Sequence, residues 1–239
     1  MIDAILYRDI VKAVNNQFSE PPKRMTFFDG VSPVSSKVMA DVNAKIRKKS
    51  LVAVLFCNPN SQFCRGEILD SLSYFHHRSK EHIDIFCCGY GAYWPEDKYP
   101  DLKVVTTIDG ADWSYSDNSF VAALEDFESN TKWRYSGENE LLLLDVSPST
   151  NPDDLNINSA IVCNLEQMKK DGAFSSVRAL FESIIRYAAN DKAGDAWGFS
   201  DQKGIEVASS FLKDAILGLL PKPLQSSYRK AENFAIKQI

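Results

Sequence analysis

The sequence predicts an α/β protein with a central, mostly parallel sheet and helices on both of its faces. Short, nearly continuous apolar runs carry the first half of that statement: Leu51 to Cys57, His82 to Cys88 and Glu140 to Val146. Strands covered on both sides lose the usual in-out alternation and read this way. The second half comes from the intervening segments, where apolar residues recur every three or four positions, the period of an amphipathic helix. With 239 residues, 44% of them hydrophobic and 25% charged, the chain suits one large globular unit.

The elements follow in order. Ile2, Ile5, Leu6, Ile10, Val14 and Phe18 share one face, predicting a helix over 2–18 that Glu20-Pro21-Pro22 ends. This makes residues 1–22 an N-terminal helix ahead of an α/β core over 23–190. In the core, Arg24 to Asp29 reads as a short strand, followed by a helix from Ser36 with Val38, Met39, Val42 and Ile46 inside. The strand Leu51–Cys57 is broken by Asn58-Pro59-Asn60, and a helix from Ser61 to Arg78 carries Ile68, Leu69, Leu72 and Phe75. The strand His82–Cys88 completes a βαβ unit, for which a right-handed crossover is expected. Lys103–Ile108 is a further strand, and Ser116 or Asp117 caps a helix with Phe120, Val121, Leu124 and Phe127. Strands at 140–146 and 160–163 follow, then helix to about Ala189. Beyond, residues 191–239 read as an all-helical C-terminal extension, where a helix capped by Asp201 presents Ile205, Phe211, Leu212 and Ile216. That apolar face either packs on the core or serves a protein partner or self-association.

Charge and targeting narrow the classes of function. A net charge of -5 and a pI near 5.3 argue against nucleic-acid binding. The basic run Lys45 to Lys49 falls in the last turn of a predicted helix, where cations complement the helix dipole. Acids within the first nine residues argue against a signal peptide, and the longest apolar run is too short to span a bilayer. A cytoplasmic protein is expected, with its five cysteines as thiols.

The best-placed chemistry lies between Cys57 and Cys64. Loops at the carboxyl ends of parallel strands are where α/β sheets hold their sites. A thiol in the first turn of a helix feels the positive end of the dipole, which favours the thiolate. Cys64 is thus the candidate nucleophile, with Ser61 and Cys57 in support, and Arg65 adds a cation. Asn58, Asn60 and Arg65 are the candidate ligand-binding residues of the same loop. Phe56 and Phe63 flank the two thiols, so inert core cysteines are the competing reading. No C-x₂-C pairing suggests a metal site, and neither a G-x-G-x-x-G nor a Walker motif suggests a nucleotide, so no metal or cofactor is expected. Asp109, Asp112 and Asp145 follow strands, but Asp109-Gly110 is turn chemistry. Trp94, Trp113, Trp133 and Trp197 fall in or beside loops, as in a partner surface or a lid over the core.

The order strand 24–29, helix, strand 51–57, helix, strand 82–88, helix 117–130, strands 140–146 and 160–163, helix resembles the thioredoxin fold. The resemblance covers about residues 24–189, with an insertion near 90–115. It implies that a reactive motif lies between the second strand and its helix, here Phe56 to Arg65. The paired cysteines of that family would fall on Ser61 and Cys64, so the nucleophilic position is a serine. Its cis-proline would fall within Tyr135 to Glu140, which contains no proline. Those departures favour a non-catalytic binding or scaffolding component of an intracellular assembly. The alternatives are a thiol-dependent enzyme using Cys64, or a nucleotide-responsive sensor or effector.

Overall fold

Seven residues, Ser50–Phe56, form the strand around which the chain is arranged, and Val52 to Phe56 are wholly buried. The computed structural model describes residues 2–4, 6–19, 50–79, 82–172, 174–191 and 234–237. Its main sheet has six strands in the order β1-β3-β2-β7-β8-β9. These are β1 (Ile2–Ala4), β2 (Ser50–Phe56), β3 (Asp84–Cys88), β7 (Glu140–Ser147), β8 (Asn156–Asn164) and β9 (Phe234–Lys237). Both β1 and β2 run parallel to β3, whereas β2/β7, β7/β8 and β8/β9 are antiparallel.

The sheet is therefore mixed, with a parallel half and an antiparallel half, rather than mostly parallel. An apolar run reports that both faces of a strand are covered, and coverage looks the same in either direction. Leu141 to Leu144 on β7 are as deeply buried as Val52 to Leu55 on β2, against which they pair.

Helices cover both faces. Phe56 points to one side, where Phe120 and Phe127 of helix α3 (Asp117–Asn130) meet its ring at 6.0 and 5.4 Å. On that side Tyr7, at the start of helix α1 (Tyr7–Ser19), places its ring edge-on to Phe127 at 4.9 Å. Alternation sends Cys57 to the opposite side. There helix α2 (Leu72–Ser79) packs on helix α5 (Val177–Asp191) through the stacked rings of Phe75 and Phe181, 4.3 Å apart. The short helix α4 (Leu165–Lys170) precedes α5.

Two terminal expectations change. Residues 2–18 are not one helix: Ile2–Ala4 pairs in register with Phe86–Cys88, and the helix begins at Tyr7. The Asp9 carboxylate accepts from the Leu6 N–H at 2.9 Å, satisfying one donor at the helix start. Apolar residues at 2, 5 and 6 fit an edge strand plus a turn as well as they fit a helix. The C-terminal region is not all-helical either, because Phe234–Lys237 pairs with β8. The predicted strand at 24–29, the helix from Ser36, Trp197 and the helix capped by Asp201 lie outside the described residues.

Between β3 and α3 the chain builds a second, three-stranded antiparallel sheet in the order β4-β6-β5, from β4 (Tyr90–Ala92), β5 (Lys103–Ile108) and β6 (Ala111–Tyr115). Asp109 and Gly110 both have positive φ, +52 and +79, the conformation of a tight hairpin turn. Expected as a turn, this pair also implies a strand on its far side. Ala111–Tyr115 is that strand, with Trp113 and Tyr115 inside. Ser116 caps α3 as expected, its side chain accepting from the Ser119 N–H. Val121 is exposed on α3, and Ala123 takes the core position.

Candidate functional site

Cys57 follows the end of β2, and Cys64 opens the next helical segment. That segment starts irregularly, with one π turn over Cys64–Ile68 and a 3₁₀ turn over Leu69–Ser71 before α2. The π turn is closed by the Leu69 N–H donating to the Cys64 carbonyl. Such single wide turns inside helices are frequent at functional sites. Here Cys64 is aimed inward, while Arg65 and Gly66 stay exposed.

Both thiols are sealed: Cys57 is 1% exposed and Cys64 0%. Tyr90, the first residue of β4, completes their surroundings. Its hydroxyl donates to the Cys57 carbonyl at 3.0 Å, and its oxygen lies 3.5 Å from each of the two Sγ atoms. The two sulfurs thus share the Tyr90 hydroxyl. The neighbouring Cys57 thiol holds the Cys64 thiol below its ordinary pKa; burial opposes it, while Tyr90 and the charge of Arg65 assist. Burial pushes the Cys57 thiol well up, and the Cys64 sulfur adds to the rise. Burial likewise pushes up the Tyr90 phenol.

Ser61 does not face the thiols as a second nucleophile. Its Oγ accepts from the Cys64 N–H at 2.9 Å, the work of a helix cap, and from Asn139 Nδ2 at 3.1 Å. Asn58 and Asn60 make the turn itself: Asn58 Oδ1 accepts from the Asn60 N–H, and the Asn58 carbonyl accepts from the Ser61 N–H. Arg65 reaches back to the Asn60 carbonyl at 3.2 Å. The loop expected to cradle a ligand thus satisfies its own groups at Asn58, Asn60, Ser61 and Cys64.

Asn139, 2% exposed, is the hub that sequence reasoning missed. It lies just before β7, in the stretch where the family resemblance places a proline. Its Oδ1 accepts from the Asn58 N–H at 3.3 Å, and its Nδ2 donates to Glu166 Oε1 at 2.6 Å as well as to Ser61. Its carbonyl accepts from the Leu165 N–H. One amide therefore ties the Cys57–Cys64 loop to the start of α4. Nearby, Trp133 Nε1 donates to the buried carboxylate of Glu140, whose pKa is raised by burial.

Other predicted groups are not brought together. Asp145 pairs with Leu51 at the far end of β2, because β7 runs antiparallel and its carboxyl end lies away from Cys57. Asp109 meets His77 at 2.9 Å on the exposed surface. Trp113 and Trp133 are buried, and the Trp94 ring lies tilted against Tyr99 at 5.2 Å. Cys87, Cys88 and Cys163 are buried thiols. Among the described residues no three His, Cys, Asp or Glu side chains are grouped to hold a metal ion, and no helix is long and apolar enough to cross a membrane.

No family model matches the chain, and neither a curated protein nor a solved structure is significantly similar to it. Tyr90 had one signal in the sequence, an aromatic residue between Gly89 and Gly91 directly after a buried strand. Asn139 had none beyond its place before a strand.

Proposed function

We propose that this chain is a non-catalytic binding or scaffolding component of an intracellular assembly, built on a thioredoxin-like domain whose reactive position has been filled. The observation that carries this reading is the sealing of Cys57 and Cys64 beneath Tyr90, with Ser61 engaged as a helix cap. A nucleophile needs room for its substrate within hydrogen-bonding reach. Here that room is taken by a phenol of the chain itself.

Support for the thioredoxin-like arrangement comes from the sheet. A parallel β2/β3 pair lies beside an antiparallel β7/β8 pair, the candidate segment sits between β2 and its helix, and the loop before β7 faces it. Support for a partner surface comes from Tyr93, 89% exposed and at a positive φ of 59° that is uncommon for a bulky residue. An ordered, exposed aromatic with one polar end is well suited to a protein contact.

The lowered pKa of Cys64 favours the thiol-enzyme reading instead, and one experiment separates the two. Native protein is treated with iodoacetamide near neutral pH, and modified cysteines are mapped. The binding reading expects Cys64 to remain unmodified until denaturant is added. Labelling of Cys64 in the native protein at or above the rate of a free cysteine would refute it.

A further inference from the structure

Five cysteines are buried in this chain, and two of them, Cys57 and Cys64, meet the same hydroxyl. Cys57 Sγ and Cys64 Sγ each lie 3.5 Å from the Tyr90 hydroxyl oxygen, which brings both sulfurs to one buried atom. One sulfur stands at the end of a central strand and the other in the first turn of the helix after it. We propose that Cys57 and Cys64 form a reversible internal disulfide when a small hydroperoxide reaches the site, making this pair an oxidation site of the protein. The proposal goes beyond the binding role and stands whether or not that role holds.

The oxidant must be small because the thiols are 1% and 0% exposed, closed to bulky disulfides yet reachable by a molecule the size of water during local opening. The first step forms a sulfur–oxygen bond. The Cys64 sulfur attacks one peroxide oxygen, the O–O bond breaks, and the departing oxygen takes up the thiol proton, leaving a sulfenic acid. In the second step the Cys57 sulfur attacks the Cys64 sulfur. The S–S bond forms, the S–O bond breaks, and the hydroxide leaves as water with the Cys57 proton. Overall two thiols and hydrogen peroxide give one disulfide and two waters; the sulfurs lose two electrons and the peroxide gains them.

The order of attack follows from the surroundings. The Cys64 thiol is held low by Cys57, assisted by Tyr90 and Arg65, whereas burial raises Cys88 well above the ordinary thiol value and Cys163 to about 12. Cys64 is then the sulfur that reacts first, and Cys57, held at the same Tyr90 hydroxyl, is the sulfur that resolves it.

The test uses the purified full chain. It is treated with a few equivalents of hydrogen peroxide, quenched with catalase, then denatured and alkylated with N-ethylmaleimide. The expected product has lost two hydrogens, takes up alkylating agent at three of its five cysteines, and yields a peptide linking Cys57 to Cys64 that dithiothreitol separates. In the Cys57→Ser variant a sulfenic acid on Cys64 should be trapped by dimedone. Alkylation at all five cysteines after peroxide, or a bridge that uses Cys87, Cys88 or Cys163, would overturn the proposal. Peptide mapping of the unsubstituted chain decides the matter even if the variant does not fold.

Discussion

Replacing Asn139 by alanine should cost about 3 kcal/mol, and the figure can be assembled from its bonds. The side chain accepts from the Asn58 N–H and donates to Ser61 Oγ and Glu166 Oε1. The two neutral bonds are worth about 1 kcal/mol each, and the bond to a carboxylate roughly 1.5–3 kcal/mol. Glu166 is only half buried and recovers some hydration once abandoned, which brings the sum to about 3 kcal/mol. For a chain of this size that lowers Tm by about 6–12 °C. A second variant isolates the electrostatic part. Asn139→Asp keeps the shape but sets a carboxylate where the amide stood 2.6 Å from Glu166. Two carboxylates at that distance hold one pKa up in the folded state, so the folded protein binds a proton more tightly than the unfolded chain. The defect of N139D is then full near neutral pH and shrinks as pH falls through the raised value toward the ordinary carboxyl range at about 4. Urea titrations followed by tryptophan fluorescence across pH 4–8 measure both. An Asn139→Ala change within about 0.5 kcal/mol of the parent, the range of ordinary surface substitutions, would refute the hub assignment. So would an N139D defect indifferent to pH.

Two more perturbations test the frame around the site. Glu182 on α5 accepts from Arg78 Nε and Nη2, both at 3.0 Å, and from Tyr74 and Arg186; bonds from Arg78, above all, hold its pKa at about 2 against an ordinary 4.5. A folded-state pKa below the unfolded one gives stability that is complete above pH 4.5 and lost as pH falls toward 2. Because Arg78 and Arg186 reach solvent, that stability is only about 1–2 kcal/mol, and the gap between the parent and Glu182→Gln in acid-titrated thermal melts should close over this window. Gly89 has φ +81, and an added Cβ would stand 2.7 Å from the Phe120 Cβ. Gly89→Ala should therefore destabilise by about 2–4 kcal/mol, through backbone strain and overpacking together, and a melting temperature equal to the parent's would contradict that packing.

How much of this was legible in the sequence depends on what each signal encodes. Apolar runs at 51–57, 82–88 and 140–146 report burial on both faces, and the strands form there; strand direction is set by pairing, which no local run contains. Cys57 and Cys64 were placed by chain geometry alone, at a strand end and a helix start. Their sealing was not legible, because it depends on Tyr90, which lies across a whole βα unit. Ser61 was recognisable as polar residue at a helix start, and a cap and a nucleophile have the same composition. The hairpin at Asp109-Gly110 was readable as a turn, and its second strand was hidden by the mixed pattern of Ala111 to Tyr115. Asn139 illustrates the limit: a buried amide acquires meaning only from three partners distant in sequence.

The division of the sheet into a parallel and an antiparallel half has a consequence for how the chain reaches this structure. Neighbouring strands joined by a short turn, such as β7 and β8, close their pairing at small entropic cost, whereas β2 must find β7 across most of the domain. Docking of β7 on β2 also brings Asn139 to the Cys57–Cys64 loop. Closure of Tyr90 over Cys57 and Cys64 belongs to the parallel half, so pulse alkylation of the two thiols during refolding, read beside the pairing of β2 with β7, would time one half of the sheet against the other.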